Sequence, residues 1–119
     1  MKINDRLKKI GDLVDANSLC LDIGCDHALL DIYLVKEKNQ QKAIASDIAS
    51  GPLEKASENI KKYRVEDKVI TRLGNGLDTY TDDIDTAIAS GMGGRTIIGI
   101  FKNNLKITKK LKQIIVSPN

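Results

Sequence analysis

Hydrophobic and polar positions change period several times along this chain. The run Leu19-Cys-Leu-Asp-Ile23 is nearly continuous in apolar residues, breaks at Gly24, and gives way to helical spacing through Ala28, Leu29, Ile32 and Tyr33. That change predicts a buried strand, a tight turn and the start of a helix. Before it, Ile3, Leu7, Ile10, Leu13 and Val14 fall at helical spacing, with Lys8, Lys9, Asp12 and Asp15 on the other side, which predicts an amphipathic helix within Met1–Asn17. After it, a second strand is expected over Lys42–Asp47. A helix follows with Pro52 at its first position, Glu54 in the first turn, and Leu53, Ala56, Ile60 and Tyr63 as its apolar stripe.

The remaining pattern continues the alternation. A short strand over Lys68–Leu73 runs into Gly74-Asn75-Gly76-Leu77, and Asp82 and Asp83 precede a fourth strand, Ile84–Ser90. Gly91-Met92-Gly93-Gly94 stops that strand. A helix over Arg95–Leu105 is then expected to turn Ile97, Ile98, Ile100 and Phe101 inward, before a fifth strand at Lys112–Val116. Strands alternating with helices specify an α/β fold, a Rossmann-like parallel sheet with helices on both faces. Every glycine-rich turn follows a strand, so these turns collect at the carboxyl edge, where such sheets bind ligands.

Composition narrows the function. At 119 residues the chain suits one domain. With one Phe, three Tyr and no Trp, its core must be aliphatic, and broad stacking of single-stranded nucleic acid is disfavoured. The net charge of +3 decides nothing, but its distribution is uneven: from Arg95 to Asn119 the chain carries Arg95, Lys102, Lys106, Lys109, Lys110 and Lys112 and no acidic residue. Two readings stand for this segment, an electrostatic footprint for RNA phosphates and a solvated helix face. Cys20 and Cys25 do not form a C-x-x-C pair, and no His/Cys cluster suggests a metal. With no signal peptide or membrane-length apolar run, a reducing cytoplasmic setting is expected.

The first turn carries the chemistry. In Asp22-Ile-Gly24-Cys-Asp26 a carboxylate stands where the dinucleotide fingerprint G-x-G-x-x-G has its second glycine. Asp26 would repel a pyrophosphate pressed onto the helix N-terminus, which argues against a nicotinamide dinucleotide. It suits a cationic ligand such as S-adenosylmethionine (SAM), which has a sulfonium and an ammonium and no phosphate. Asp47, ending the second strand, either accepts from both ribose hydroxyls or caps the Gly51-Pro52 turn. Asn75 is either a partner for an adenine edge or an ordinary turn residue between two glycines. His27 reads as a polar cap or ligand-contacting donor. Cys25 reads as a small turn residue, with a helix N-terminus as a possible activator of its thiol.

Five motifs in order then carry a resemblance: Asp22-Ile-Gly-Cys-Asp-His-Ala28, Ala45-Ser-Asp-Ile48 with Gly51-Pro52, Gly74-Asn-Gly-Leu-Asp78, Ala89-Ser-Gly-Met-Gly-Gly94, and Ser117-Pro-Asn119. The chain resembles the bacterial tRNA (adenine-22-N1)-methyltransferase family, TrmK, over nearly its whole length. The resemblance implies a class I SAM-dependent methyltransferase acting on N1 of an adenine in tRNA. It implies a cofactor site of Asp22, Gly24, Cys25, Asp26 and His27 at the methionine end, Asp47 and Ile48 at the ribose and adenine, and Asn75 and Gly76 at the adenine edge. Ser90, Gly91, Met92 and Gly93 would border the methyl, with Pro118 and Asn119 near the base. The expected catalytic set is Asp26, Ser90, Met92 and Asn119, with tRNA as partner and no metal or membrane.

The sequence departs from the family where Cys25 replaces a frequent Ser, Asp47 a commoner Glu and Asn75 a commoner Asp. Family members also continue past the Pro-Asn turn with further strands and a helical extension. Residues 1–119 are accordingly expected to be a SAM-binding methyltransferase domain lacking its last strands, with the fifth strand as an exposed apolar edge. A non-catalytic SAM-binding fragment or partner module is the alternative function.

Overall fold

The computed structural model describes residues 1–119. Its elements run α1 (Asp5–Leu13), β1 (Leu19–Ile23), α2 (Leu29–Lys36), β2 (Lys42–Asp47), α3 (Ser50–Lys62), β3 (Val69–Leu73), a 3-10 turn (Gly76–Thr79), β4 (Thr86–Ser90), α4 (Gly94–Lys102), α5 (Leu105–Lys110) and β5 (Gln113–Ser117). The strands form one sheet in the order β3-β2-β1-β4-β5, and every pairing is parallel. The chain therefore builds outward from β1 to β3, returns to the other side of β1, and builds outward again. The reversal lies between β1 and β4, where Ile23 sits level with Ser46 of β2 and Ala89 of β4.

Strand pleating divides the side chains between two faces. Cys20, Ile88 and Ile115 meet Ile10 of α1, Val14 just after it, and Leu30 and Leu34 of α2. Ala43, Ala45 and Val69 meet Ile32 and Val35 of α2 and Ala56 and Ile60 of α3 on that same side. The other face, with Leu19, Leu21, Ile23 and Ile44, receives Leu77 from the 3-10 turn and Ile100, Phe101, Ile107 and Leu111 from the α4–α5 segment. Helix α2 is buried from Leu30 to Val35 because α1 and α3 flank it while the sheet lies beneath. Its sequence is accordingly apolar almost all round, as a buried helix requires.

Element boundaries depart from the periodicity in several places. The first helix occupies only Asp5–Leu13 of the expected span, because the Asn4 side chain accepts from the Leu7 backbone N–H at 2.9 Å and caps it. α2 starts at Leu29, so His27 lies in the preceding turn and not inside the helix. α3 starts at Ser50, which puts Pro52 two residues past its first position and leaves no acid in the first turn. The expected helix Arg95–Leu105 is two helices, α4 ending at Lys102 and the unforeseen α5. The break follows Asn104, whose side chain donates to Ile100 O while its carbonyl accepts from Thr108 Oγ1. Ile98 is 63% exposed, contrary to the inward stripe expected for it, while Ile97 is buried. β4 begins at Thr86 and β5 at Gln113.

β5 is an edge strand, with Ile114 and Val116 partly exposed and Ile115 buried against the α1 face. No helix is long and apolar enough to cross a membrane.

Helix α1 lies close to α2 through a glycine. A Cβ on Gly11 would stand 2.7 Å from Cε2 and 2.8 Å from Cδ2 of the Tyr33 ring, whose hydroxyl donates to Asp12 Oδ1 at 2.9 Å. A held ring cannot yield as a free side chain would. The overpacking penalty of about 1–3 kcal/mol should exceed a helix-propensity gain of at most about 1 kcal/mol. Gly11→Ala is expected to lower the thermal unfolding midpoint; a raised midpoint would mean that the ring moves aside freely.

Candidate functional site

The carboxyl ends of β1 and β4 open into a cavity of about 580 Å³ at the reversal of strand order, the usual ligand position in an open α/β sheet. One wall is the turn after β1. Gly24 (φ 72), Asp26 (φ 56) and Ala28 (φ 62) all adopt left-handed backbone, a conformation that L-residues other than Asn and Asp rarely hold. Neighbouring elements hold it. Cys25 N–H donates to Ser46 O at 2.8 Å, and Asn59 Nδ2 of α3 donates to His27 O at 2.9 Å. The turn buries Cys25 and Ala28 and leaves Asp26 and His27 exposed at the rim, with His27 Nε2 3.7 Å from Asp26 Oδ1.

Asp22, the penultimate residue of β1, is buried at the cavity floor, while Gly24 and Cys25 line the wall above it. Burial pushes the Asp22 carboxyl up to about 6, against the lowering effect of a hydrogen bond with Asp31. Asp47, at the end of β2, also lines the cavity, and its Oδ1 accepts from Ala49 N–H at 3.0 Å. The two readings of Asp47 are therefore compatible, since one oxygen holds the local turn while the side chain borders the cavity. Ile48 beside it is 70% exposed.

Ser90, Gly91 and Met92 form the opposite wall. Gly91 (φ 73) needs left-handed backbone, and its N–H donates to Ser117 O at 3.1 Å. Met92 reaches across, with Cε 3.7 Å from the Cβ position on Gly24. Asn119 closes the loop: its N–H donates to Met92 O at 2.9 Å and its Nδ2 to Gly91 O at 3.0 Å. The Ser-Pro-Asn turn is thus clasped onto the glycine-rich loop, which brings Asn119 into the cavity wall.

Of the residues expected at the site, the cavity gathers Asp22, Gly24, Cys25, Asp26, His27, Asp47, Ile48, Ser90, Gly91, Met92 and Asn119. Asn75 and Gly76 follow β3 outside its wall. Asn75 is exposed with its carbonyl accepting from Asp78 N–H, and Gly76 lies against Ile100. Sequence reasoning missed Asn4, Arg6 and Leu7 of the α1 segment and Leu29 and Leu30 of α2 as wall residues. Arg6 matters most: its Nη2 lies 3.7 Å from the Cβ position on Gly91, and it is the only lysine or arginine in a wall holding Asp22, Asp26 and Asp47. Its place on the polar side of an amphipathic helix hid it, because periodicity separates buried from exposed and not ligand from water.

The basic C-terminal segment falls away from the site. α5 precedes the start of β5, at the amino edge of the sheet, where Lys110 pairs with Asp82 at 3.6 Å and Lys112 with Asp85 at 4.0 Å. Only Arg95, at the start of α4, stands at the cavity edge of the sheet. No group of three His, Cys, Asp or Glu side chains is placed to hold a metal ion.

A parallel sheet of this topology, with a cavity over β1 and β4 and acids at the ends of β1 and β2, defines a Rossmann-like α/β domain. The chain belongs to the methyltransferase-domain family, whose sequence profile matches residues 3–119. The tRNA (adenine(22)-N(1))-methyltransferase of Bacillus subtilis (strain 168) is 31% identical over 121 residues, covering 100% of this chain and 50% of that protein. The M. capricolum TrmK structure, in complex with S-adenosyl-homocysteine, superposes with a TM-score of 0.86 at 32% identity, covering 98% of this chain and 52% of that one. A Streptococcus agalactiae protein of the NADB-Rossmann superfamily gives a TM-score of 0.94 at 32% identity over 99% of this chain and 53% of that one. These findings bear out the family resemblance carried by the motifs. The chain spans about half the length of the relatives it matches.

The turn also answers the question of thiol reactivity. Burial, the largest effect, and the charges of Asp31 and Asp22 push the Cys25 thiol up, and burial does the same for Cys20. Neither is activated by a helix N-terminus. Iodoacetamide at neutral pH is expected to leave both unmodified in the folded chain and to label both once it is unfolded. Rapid labelling of folded Cys25 would contradict this.

Proposed function

We propose that this chain is the SAM-binding catalytic domain of a cytoplasmic methyltransferase that modifies N1 of the adenine at position 22 of tRNA. The observation that carries the reading is the charge of the cavity: Asp22, Asp26 and Asp47 share one wall system with Arg6. That set rejects a pyrophosphate and matches a ligand with an ammonium, a sulfonium, a carboxylate and a ribose. The names of the relatives and the five motifs support the substrate.

When bound, SAM supplies an electrophilic methyl group on a sulfonium. In this reading Asp22, Gly24, Cys25, Asp26 and His27 surround the methionine end, and Arg6 receives the carboxylate. Asp47 accepts from the ribose hydroxyls with the oxygen that does not hold Ala49, and Ile48 covers the adenine. Adenine N1 has a free lone pair, so the chain need not remove a proton before transfer. Its work is alignment, for which effective-molarity gains are large. Ser90, Gly91, Met92 and Asn119 shape the slot for the base, and glycine at 91 and 93 permits close backbone approach. The target base must leave its stack to present N1. Asp26, at the rim, favours the positive charge that develops on the methylated base, an effect that grows when bound RNA excludes water.

Calorimetric titration with SAM is expected to give saturable binding, weakened at least about tenfold in Asp47→Ala and in Arg6→Ala, since each removes a charge-assisted hydrogen bond. At saturating SAM, Asp26→Asn should lower the single-turnover rate of methyl transfer to tRNA at least about tenfold. Binding without any transfer would favour the non-catalytic module. A folded chain that ignores SAM would overturn the reading.

A further inference from the structure

We infer that Asp31, a residue outside the cavity wall, is a positioning residue for the cofactor: as a buried acid it donates its proton to Asp22 and fixes Asp22 as the ionised acceptor at the cavity floor. The inference rests on the reading of the cavity as a SAM site.

Pleating sends the Asp22 side chain to the same face as Cys20, which packs under Leu30 and Leu34 of α2, and Asp31, in the first turn of α2, shares a side-chain hydrogen bond with it. Asp22 is 2% exposed and Asp31 0%. Asp22 Oδ1 and both carboxyl oxygens of Asp31 meet no N–H or O–H donor. The buried Ser46 hydroxyl donates to the Asp22 backbone carbonyl at 3.0 Å and not to its carboxyl group. Three orphaned oxygens at one buried contact are costly, and a single proton between the two carboxyl groups pairs two of them, an Asp31 oxygen as donor and Asp22 Oδ1 as acceptor.

The charged surroundings agree. Besides each other, Asp22 faces Asp47 from β2 and Asp26 from the β1–α2 turn, and burial pushes the nearby Cys20 and Cys25 thiols up. Arg6 of α1 stands at the Gly91 wall. Both groups are pushed up by burial. Both oxygens of Asp31 are sealed from solvent without a donor, whereas Asp22 also lines the cavity, so the proton resides on Asp31 and the charge on Asp22. The pair keeps one negative charge, on the member that lines the cavity, which matches one ammonium.

Two measurements test this on the whole chain. Between the ordinary carboxylate range and its raised value, Asp31 holds a proton in the folded chain that the unfolded chain has released, so its contribution to stability falls as pH rises. Asp31→Asn keeps an N–H donor without the charge. Its thermal midpoint relative to the parent should rise by about 5 °C more at about pH 8 than at about pH 5. An equal difference at both pH values would overturn the shared proton.

In SAM titrations the affinity should fall as pH drops through about 6, where Asp22 takes its own proton. Asp31→Leu should lose at least about tenfold in affinity and move that midpoint upward, while Asp31→Asn restores both. An Asp31→Leu chain with the parent's affinity and midpoint would overturn the positioning role. If no form binds SAM, the cofactor reading and with it the positioning role fall, while the melting comparison still decides the proton.

Discussion

The structure depends on a turn that would not hold its shape alone. From Gly24 to Ala28 the backbone visits the left-handed region three times, twice without glycine, at a cost of order 1–3 kcal/mol per strained residue. The Cys25 N–H on Ser46 O and the Asn59 amide on His27 O over-determine it from two other elements. The burial of Ala28 and Cys25 among Ala43, Ala45 and Ala56 adds the hydrophobic part. Small residues at those three positions let the turn sit down between β2 and α3. Because the backbone is turned outward at Asp26, its carboxylate and the His27 ring face the cavity mouth and not the core.

Much of this was legible from the order of residues. The apolar run Leu19–Ile23 and the break at Gly24 located the central strand and the functional edge, because a parallel strand buried on both faces must read as a nearly continuous apolar segment. The acids at 22, 26 and 47 were legible for the same reason: a carboxylate ending a buried strand has few purposes except capping or a ligand. The second half of the chain was harder. α4 and α5 blur into one helical pattern because the break is made by Asn104 hydrogen bonds across one turn, which carry no signature in apolar spacing. Ile98 carries the period of a core residue yet faces outward, since the other face of α4 is filled by Ile97, Ile100 and Phe101.

Tertiary proximity was the least legible. Nothing local relates Arg6 to Gly91, or Asp31 to Asp22. The first contact is tertiary: Gly11 lets α1 lie close against the Tyr33 ring, and Arg6, near the start of that helix, reaches the Gly91 turn after β4. The second exists because a strand of period two and a helix of period 3.6 happen to place two acids on facing surfaces. An acid at position 31, within an otherwise apolar helix, was visible in the sequence, and an isolated buried charge is the kind of irregularity that seldom survives without a partner.

Those two contacts give the cavity its charge balance. Three acids converging on one site repel each other, and the chain limits that repulsion in two ways: a guanidinium is brought in from α1, and one buried acid retains its proton. Each device comes from a helix packed on the same face of the sheet, and each acts at a different end of the cavity, Arg6 above Gly91 and Asp31 beneath Asp22. In the proposed reading the ammonium of the ligand meets the Asp22 end, over β1, and its carboxylate the Arg6 end, toward β4. The helices on one face of the sheet thereby determine which way a ligand points at its edge.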